Sequence, residues 1–411
     1  MGSSVPADDG YGARGGVEMA HELFAPAQLG PATLRNRIIK AATFEGMSPK
    51  NVVSRSLTEF HRRMAAGGVG MTTVSYVAVA PGGMGAPNEI YVHDGAAEGL
   101  ARIAEVVHAE GAAISAQLGH AGAVGDLPGK VLLGPSKART LTGGVVHEIR
   151  PGQIDEVVAQ FTAGAKMLAD AGFDACELHF GHHYLISAFL SPKWNRRTDE
   201  YDGRTAEGRT LLARRILRDV RQAVGNRIAV TAKLNMVDAV RGGLTVEQSI
   251  ENAKLLEAEG VLDAIQLTGG GSQRNQMFMF RGGAPRAEMA QLLQKPVQKF
   301  GFKVLGRWLL KEYPFEEAYF LPMARQFKAA LSTPITLLGG INRLDTMQAA
   351  MAEGFSFVAV GRALVRDPDL INKLRDGTVA EGNCIHCNKC MLSIYTGTRC
   401  VLDQPQPVRL G

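Results

Sequence analysis

Eight short apolar runs, each followed by a stretch with helical periodicity, limit this 411-residue chain to very few folds. The runs are rich in β-branched residues, and amphipathic stretches such as residues 56–68, 205–225 and 245–260 follow them. Because strand and helix alternate eight times without an extra block, we predict a single closed parallel (β/α)8 TIM barrel, with a doubly wound open sheet as second choice. The predicted strands are residues 36–42, 71–79, 112–118, 174–180, 228–234, 263–269, 334–340 and 355–362.

Two connections between these units are too long to be simple loops. They are residues 119–151, which follow the third strand, and residues 270–315, which follow the sixth. Loops after barrel strands surround the active site, so we expect both insertions to form a lid or a substrate pocket.

The remainder of the chain suggests three regions and an ordinary cytoplasmic protein. Residues 1–20 are Gly-rich and polar without the apolar centre of a secretory signal, which predicts a flexible tail before a barrel at 21–380 and an extension at 381–411. No apolar run approaches the roughly 18 residues of a membrane span. The formal charge of +5 is spread among interleaved acids and bases, so we expect neither membrane nor nucleic-acid partners.

Glycines end the seventh and eighth predicted strands, where a TIM barrel commonly binds phosphate. The segments are LLGGIN at 337–342 and AVGRAL at 359–364. Backbone N–H groups at glycine can approach an oxyanion closely, and Arg362 adds a bidentate charge. Either segment alone is equally typical of a turn, but the pair with an arginine favours a phosphate-bearing cofactor.

Polar side chains also lie on the third and fifth predicted strands. Gln117 belongs to AQLGHAG and Lys233 to VTAKLN. A buried amide or ammonium group without a partner costs kilocalories, so a polar planar ligand at the barrel mouth would satisfy both. An internal salt bridge would satisfy Lys233 equally well.

Four segments together resemble the Old Yellow Enzyme family of NAD(P)H:flavin oxidoreductases. They are LFAPAQLGPATLRNRIIKAA, QLGHAG, ELHFGHHYLISAFLSPKWNRRTDEYDG and VGRALVRDPDL, and the resemblance extends from residue 21 to about 402. It implies an FMN-containing barrel, similar to NADH:flavin oxidoreductases and 2,4-dienoyl-CoA reductase. Such a barrel reduces activated C=C bonds by a ping-pong exchange, with NADPH or NADH as the hydride donor.

The same resemblance assigns catalytic residues in the fourth segment. His179 and His182 match the pair that holds the carbonyl oxygen of the substrate, and Tyr184 matches the proton donor to the α-carbon. His183 stands where relatives usually have glycine, so it would narrow the pocket, support a neighbour, or do nothing. On spacing alone, these histidines would equally be satisfied core or loop residues.

The resemblance also assigns the flavin contacts. Gln117 would bind the pyrimidine edge, and Lys233 would lie at the N1 and O2 side, where many relatives have arginine and where a cation stabilises the reduced flavin. Phe44 departs from the family, which commonly has Thr or Cys there to bond the flavin carbonyl. The remaining contacts fall on Ala41, Ala42 and Thr43 beside the ring, and on Gly340, Gly361 and Arg362 at the phosphate.

Four of the five cysteines crowd together near the carboxyl terminus. Cys384, Cys387, Cys390 and Cys400 have the spacing C-x2-C-x2-C-x9-C, which could hold an iron–sulfur cluster or a structural zinc, or could be vestigial. The stretch is similar to the [4Fe–4S] segment of 2,4-dienoyl-CoA reductase and trimethylamine dehydrogenase, although its last spacing is shorter. If a cluster is present, a separate reductase would be its electron-transfer partner.

We therefore predict an FMN-dependent oxidoreductase of the ene-reductase type, which takes hydride from NAD(P)H and reduces a small molecule with an activated C=C bond. One alternative is an FMN-dependent dehydrogenase or amine demethylase that exports electrons through the cysteine cluster. A second is a noncatalytic flavin- or metal-binding partner protein. The physiological substrate and the oligomeric state, homo-oligomer or monomer, stay open.

Overall fold

A computed structural model describes residues 22–408 except 126, 142, 273, 293–298, 301, 303–305, 308 and 309. The predicted tail at 1–20 lies outside the described residues. All eight predicted strands are present. They span Ile38–Lys40, Met71–Ala78, Ala113–Gly119, Ala175–Phe180, Ala229–Asn235, Ala264–Thr268, Ile335–Leu338 and Phe357–Val360.

These strands form a closed barrel. Each pairs in parallel with its neighbours in chain order, and the first strand pairs with both the second and the eighth. The first and eighth strands meet in the register Ile39 to Ala359, and the first and second in the register Ile39 to Met71. This closure confirms the TIM barrel and excludes the open sheet, because an open sheet would leave the first strand with one partner. A ninth short strand, Ile90–Tyr91, adds to the second.

The helices that surround the barrel start where the sequence supplies caps. Ser54 and Thr205 each accept a hydrogen bond from a backbone N–H three residues later, and Thr245 forms a capping box with Gln248. Apolar residues at helical spacing then pack against the strands. The described helices are Arg55–Ala66, Asp94–Ala109, Pro151–Asp170, Leu185–Leu190, Ala206–Val224, Val246–Glu257, Gln276–Met279, Arg286–Leu292, Leu321–Ala330, Leu344–Ala352, Arg362–Arg366 and Leu370–Arg375. None of them has both the length and the apolar character that crossing a membrane requires.

The amino-terminal end of the barrel is filled by a hairpin. Strands Ala27–Leu29 and Ala32–Leu34 pair antiparallel, and their buried side chains join a cluster with residues at the starts of the barrel strands, such as Met71 and Phe357. Side chains therefore close this end, and the ligand site lies at the opposite one.

The two insertions and the carboxyl-terminal extension lie against the barrel. The first insertion contains a small sheet of Leu132–Gly134, Ala138–Arg139 and Val145–Glu148. The extension is anchored by hydrogen bonds from Gly382 N to Asn342 O at 2.9 Å and from Thr398 N to Glu45 O at 2.8 Å. The division into tail, barrel and extension itself stays a prediction.

Candidate active site

A cavity of about 560 Å³ opens at the carboxyl ends of the barrel strands. Every residue that the sequence assigned to catalysis or to the flavin lines it. These residues are Ala41, Ala42, Thr43, Gln117, His179, His182, Tyr184, Lys233, Gly340, Gly361 and Arg362. The structure thus brings together residues that lie up to 321 positions apart in the chain, although their individual roles stay predictions.

His179, His182 and Tyr184 form one aromatic cluster at the end of the fourth strand. The ring centroids of His179 and His182 are 5.0 Å apart, and the Tyr184 ring lies 4.6 Å from that of His179. Tyr76 stacks on Tyr184 at 5.4 Å. Three polar side chains therefore converge on one part of the cavity, as a site that binds and protonates a single polar group requires.

An unusual backbone turn presents His182 to the cavity. His182 and His183 both have a φ of 62°, in the left-handed region that is uncommon for residues other than glycine. Asn235 Oδ1 accepts a hydrogen bond from His182 N at 3.1 Å, and Thr268 Oγ1 lies 2.8 Å from His182 Nε2. The fifth and sixth strands therefore fix the turn and the ring.

His179 and His182 are neutral at physiological pH. Burial lowers the pKa of His179 well below its usual value, with smaller contributions from His182 and Lys233. Burial likewise lowers the pKa of His182, assisted by Lys233 and His183. Burial also raises the pKa of Tyr184, so its hydroxyl is protonated at neutral pH and can donate a proton to a bound ligand.

Glu177 holds the two polar residues that the sequence placed beside the flavin. Its Oε1 accepts a hydrogen bond from Gln117 Nε2 at 2.6 Å and lies 3.0 Å from Lys233 Nζ, while its Oε2 accepts from Gln266 Nε2 at 2.8 Å. The internal salt bridge considered for Lys233 therefore exists, and Lys233 lines the cavity as well. The amide oxygen of Gln117 is left to accept a hydrogen bond from a ligand.

The other end of the cavity has the features of a phosphate site. Gly340 has a φ of 78°, and a Cβ atom there would lie 2.6 Å from the Tyr319 ring, so only glycine fits. Arg362 Nη1 donates to Arg281 O at 2.9 Å and to Asn388 Oδ1. Its guanidinium group is thus held at the cavity wall with further N–H groups available.

These residues fit FMN. Thr43 Oγ1 and His179 Nδ1 are buried and have no hydrogen-bond partner within the described part of the chain, as expected of atoms that meet a ligand. Lys233 and Arg362 would face the negative parts of the ring system and the phosphate respectively. Phe44 lines the cavity too, and its ring makes an edge contact with Tyr395 at 6.3 Å instead of a polar contact.

The four carboxyl-terminal cysteines surround a second, small cavity of about 20 Å³. Cys390 and Arg362 line both this cavity and the large one. Burial raises the pKa of Cys390 to about 11. Among the described residues, no group of three or more His, Cys, Asp or Glu side chains is arranged to hold a metal ion. The iron–sulfur, zinc and unliganded interpretations therefore all stay predictions.

Sequence reasoning missed several residues of the site. Tyr76, Glu89 and Thr268 line the cavity but lie in segments to which no chemistry was assigned. The extension was expected only to carry cysteines, yet Met391 and Tyr395 also form part of the cavity wall. Glu177 could have been found, because it lies two residues before His179 on a strand and so shares its inward face.

Comparison with known proteins agrees with this geometry. Residues 22–268 match the model of the NADH:flavin oxidoreductase / NADH oxidase family. The chain is 50% identical over 390 residues to 4,4'-dithiodibutanoate disulfide reductase of Rhodococcus erythropolis, covering 94% of this chain and 96% of that one. It is 32% identical to a metal reductase of Desulforamulus reducens, covering 91% of this chain but only 52% of the relative.

Solved structures support the fold. The old yellow enzyme homologue of Zymomonas mobilis superposes with a TM-score of 0.69 at 22% identity, covering 89% of this chain and 96% of the other. The chain belongs to the NADH:flavin oxidoreductase / NADH oxidase family and is an oxidoreductase that uses FMN with NAD(P)H.

Proposed function

We propose that this protein reduces the activated C=C bond of an α,β-unsaturated carbonyl compound. The observation that carries the proposal is the convergence of His179, His182 and Tyr184 in one cavity with the residues that fit FMN. Bound FMN supplies the chemistry of hydride transfer, taking hydride from NAD(P)H and giving it to the β-carbon of the acceptor.

His179 and His182 bind the carbonyl oxygen of the acceptor. Both imidazoles are neutral, so each can donate one N–H without bringing a second positive charge next to Lys233. Negative charge grows on this oxygen as hydride arrives at the β-carbon, and fixed donors in a buried site stabilise that charge. Thr268 sets which nitrogen of His182 is available, because it occupies Nε2.

Tyr184 supplies the proton to the α-carbon. Its hydroxyl is protonated at neutral pH, and its ring is held between Tyr76 and His179. A general acid that is positioned in this way contributes about 10²-fold to 10⁴-fold in rate.

The test is Tyr184→Phe in protein first reduced with NADPH under anaerobic conditions and then mixed with an enone. Reoxidation by the enone should slow by about 10²-fold or more, whereas reduction by NADPH should keep its rate. Tyr76→Phe is the matched control, because it removes a hydroxyl from the same cavity, one that bonds Gly83 O at 3.3 Å. Equal enone rates in Tyr184→Phe and in the unaltered protein would remove Tyr184 as the proton donor.

A second candidate is reduction of a disulfide, which the 50% identity to a disulfide reductase favours. Hydride would add to one sulfur to form a thiol, the S–S bond would break, and the other sulfur would leave as a thiolate that takes the proton of Tyr184. Reoxidation of the reduced protein by 4,4'-dithiodibutanoate, measured beside the enone, decides between the two. Faster reoxidation by the disulfide would make it the substrate class.

A further inference from the structure

His183 points away from the cavity that its neighbours line. Its Nε2 lies 3.2 Å from Asp238 Oδ1, and the exposed fractions of the two side chains are 5% and 0%. The ring also packs at 5.2 Å from the ring of Trp194. His183 therefore does not narrow the pocket, contrary to one of the expectations from the sequence.

Asp238 is the centre of a buried hydrogen-bond network, and through Asn235 this network also holds the backbone of His182. Asp238 Oδ1 accepts from Asn235 Nδ2 at 3.3 Å, and the Oδ1 atom of Asn235 accepts from His182 N. Asp238 Oδ2 accepts from Ser191 Oγ at 2.6 Å and from Leu244 N at 2.9 Å. One carboxylate thus contacts the side chain of His183 directly and the backbone of His182 through one amide.

The carboxylate of Asp238 is charged despite its burial. Burial by itself would raise the pKa of Asp238, but His183, Ser191 and Leu244 N together lower it. His183 Nε2 lies 3.2 Å from Asp238 Oδ1, but within the described part of the chain neither ring nitrogen of His183 makes a hydrogen bond of good geometry, so the contact is one of close packing against the carboxylate. A charged group at this depth holds its partners firmly, because moving them away would leave the charge unpaired.

The turn at His182 and His183 needs such a constraint. Two consecutive left-handed residues that are not glycine are strained, and such backbone persists only where surrounding contacts determine it. Gly271 closes the opposite side, since a Cβ atom on Gly271 would lie 2.0 Å from His183 Nδ1. His183 is therefore enclosed between the fifth and sixth strand ends.

We propose that His183 is a positioning residue, whose buried contact with Asp238 fixes the turn that presents the His182 imidazole to the substrate. The inference rests on the proposed role of His182. It places His183 within the network of Asp238, so that removing His183 should add nothing once Asp238 is lost. Misplacing a catalytic group by about 1 Å can cost 10²-fold in rate, and a loosened turn should cost roughly tenfold.

The test compares His183→Asn, Asp238→Asn and the double variant as FMN-loaded, anaerobically reduced proteins. Asparagine tolerates a left-handed backbone but is too short to keep the contact. With cyclohex-2-enone, His183→Asn should be slower by a factor of roughly ten, and the double variant should be no slower than Asp238→Asn alone, because His183 acts only through Asp238. With ferricyanide, which takes electrons without a hydrogen bond from His182, all should keep the rate of the unaltered protein.

Two further variants serve as controls, one for general loss of stability and one for the role of His182. Asn252→Ala removes buried hydrogen bonds with Leu190 O and Arg209 and leaves Asp238 and His183 in place, so it should lower the melting temperature and keep the enone rate. His182→Ala should slow enone reduction, and if it does not, the proposed function fails. If His182→Ala is slow while His183→Asn keeps its enone rate, the positioning role is overturned. If Asp238→Asn does not fold, His183→Asn alone decides.

Discussion

At the scale of single residues, the site depends on a few buried charges that are each paired. Glu177 on the fourth strand is the clearest case, because its one carboxylate binds Gln117, Lys233 and Gln266 on the third, fifth and sixth strands. It therefore fixes both the cation and the amide that face the flavin. Such an arrangement is costly to break, since removal of one partner leaves the other charge buried and unpaired.

Glu177→Gln should accordingly lower the free energy of unfolding by about 3 kcal/mol, because Lys233 loses its carboxylate while it stays buried. Urea denaturation at neutral pH measures this change. The control is Glu98→Gln, which removes an exposed pair with Arg102 and should change stability by less than about 0.5 kcal/mol. A loss as small as that of the control would mean that the buried pair does not hold Lys233.

Glu89 gives a pH-dependent prediction. Burial raises its pKa to about 8, although hydrogen bonds from Gly85 N and Ala86 N act to lower the pKa. Between its ordinary pKa and about 8, Glu89 holds a proton in the folded protein that it has lost in the unfolded chain, so the contribution of Glu89 to stability falls as pH rises through this window.

Urea denaturation of the unaltered protein and of Glu89→Gln from pH 5 to 8 should show this difference. The unaltered protein should lose stability relative to the variant by up to about 1.4 kcal/mol per pH unit. Lys130, whose pKa burial lowers to about 8, affects stability only above this range. Parallel stability curves for the two proteins would contradict the raised pKa of Glu89.

The sequence could identify the site residues that lie together in one short motif, but not those that come from distant parts of the chain. His179, His182 and Tyr184 lie within six positions, so one motif contains them all. Thr268 and Asp238 act on that motif from other strand ends, and nothing next to them in the chain indicates this. Lys233 lines the cavity mouth as expected, and although Glu177 could have been placed on the inward face of its strand, the contact between the two side chains follows only from the register that puts His179 opposite Lys233.

At the scale of elements, alternation of strand and helix was enough to locate all eight barrel strands, because each is a short buried run followed by a stretch of helical periodicity. The wall formed by the extension, in contrast, depends on contacts between distant segments. Asn388 is the main link of this wall. Its Nδ2 donates to Phe280 O at 2.6 Å and to Gly283 O at 3.0 Å, and its Oδ1 accepts from Arg362.

Asn388→Ala should therefore weaken FMN binding by roughly tenfold, because Arg362 loses the group that orients it and the wall loses two hydrogen bonds. Fluorescence titration of the apoprotein with FMN measures the dissociation constant. Asn252→Ala is matched, since Asn252 is also fully buried and bonds Leu190 O and Arg209, but it lies away from the cavity. It should lower the melting temperature and leave FMN affinity unchanged; equal weakening in both variants would point to general destabilisation instead.

At the scale of the whole molecule, two cavities share one wall. Cys390 and Arg362 line both the large cavity and the cysteine cavity, so a redox group in the second would lie next to a flavin in the first. The chain spans 96% of a disulfide reductase and about half of a metal reductase.

If the cysteines hold an iron–sulfur cluster, protein isolated without oxygen should contain iron and acid-labile sulfide in equal amounts. Cys390→Ser should lose both, because a serine hydroxyl is a poor ligand for such a cluster. Cys176→Ser is the control, since Cys176 is buried in the fourth barrel strand away from the cluster and should leave the metal content unchanged. Zinc without sulfide would establish a structural metal, and neither element would favour the vestigial interpretation.

The hairpin that fills the amino-terminal end of the barrel determines from which end the reactants can enter the cavity. Since the ends of the strands near Met71 and Phe357 are packed with side chains, the large cavity opens only toward the carboxyl end of the barrel among the described residues, and we take that end as the entrance for both reactants. The hydride donor and the acceptor must use that entrance one after the other. Because the two reactants then compete for the same space above the flavin, each should inhibit the reaction competitively against the other at high concentration, as initial-rate kinetics would show.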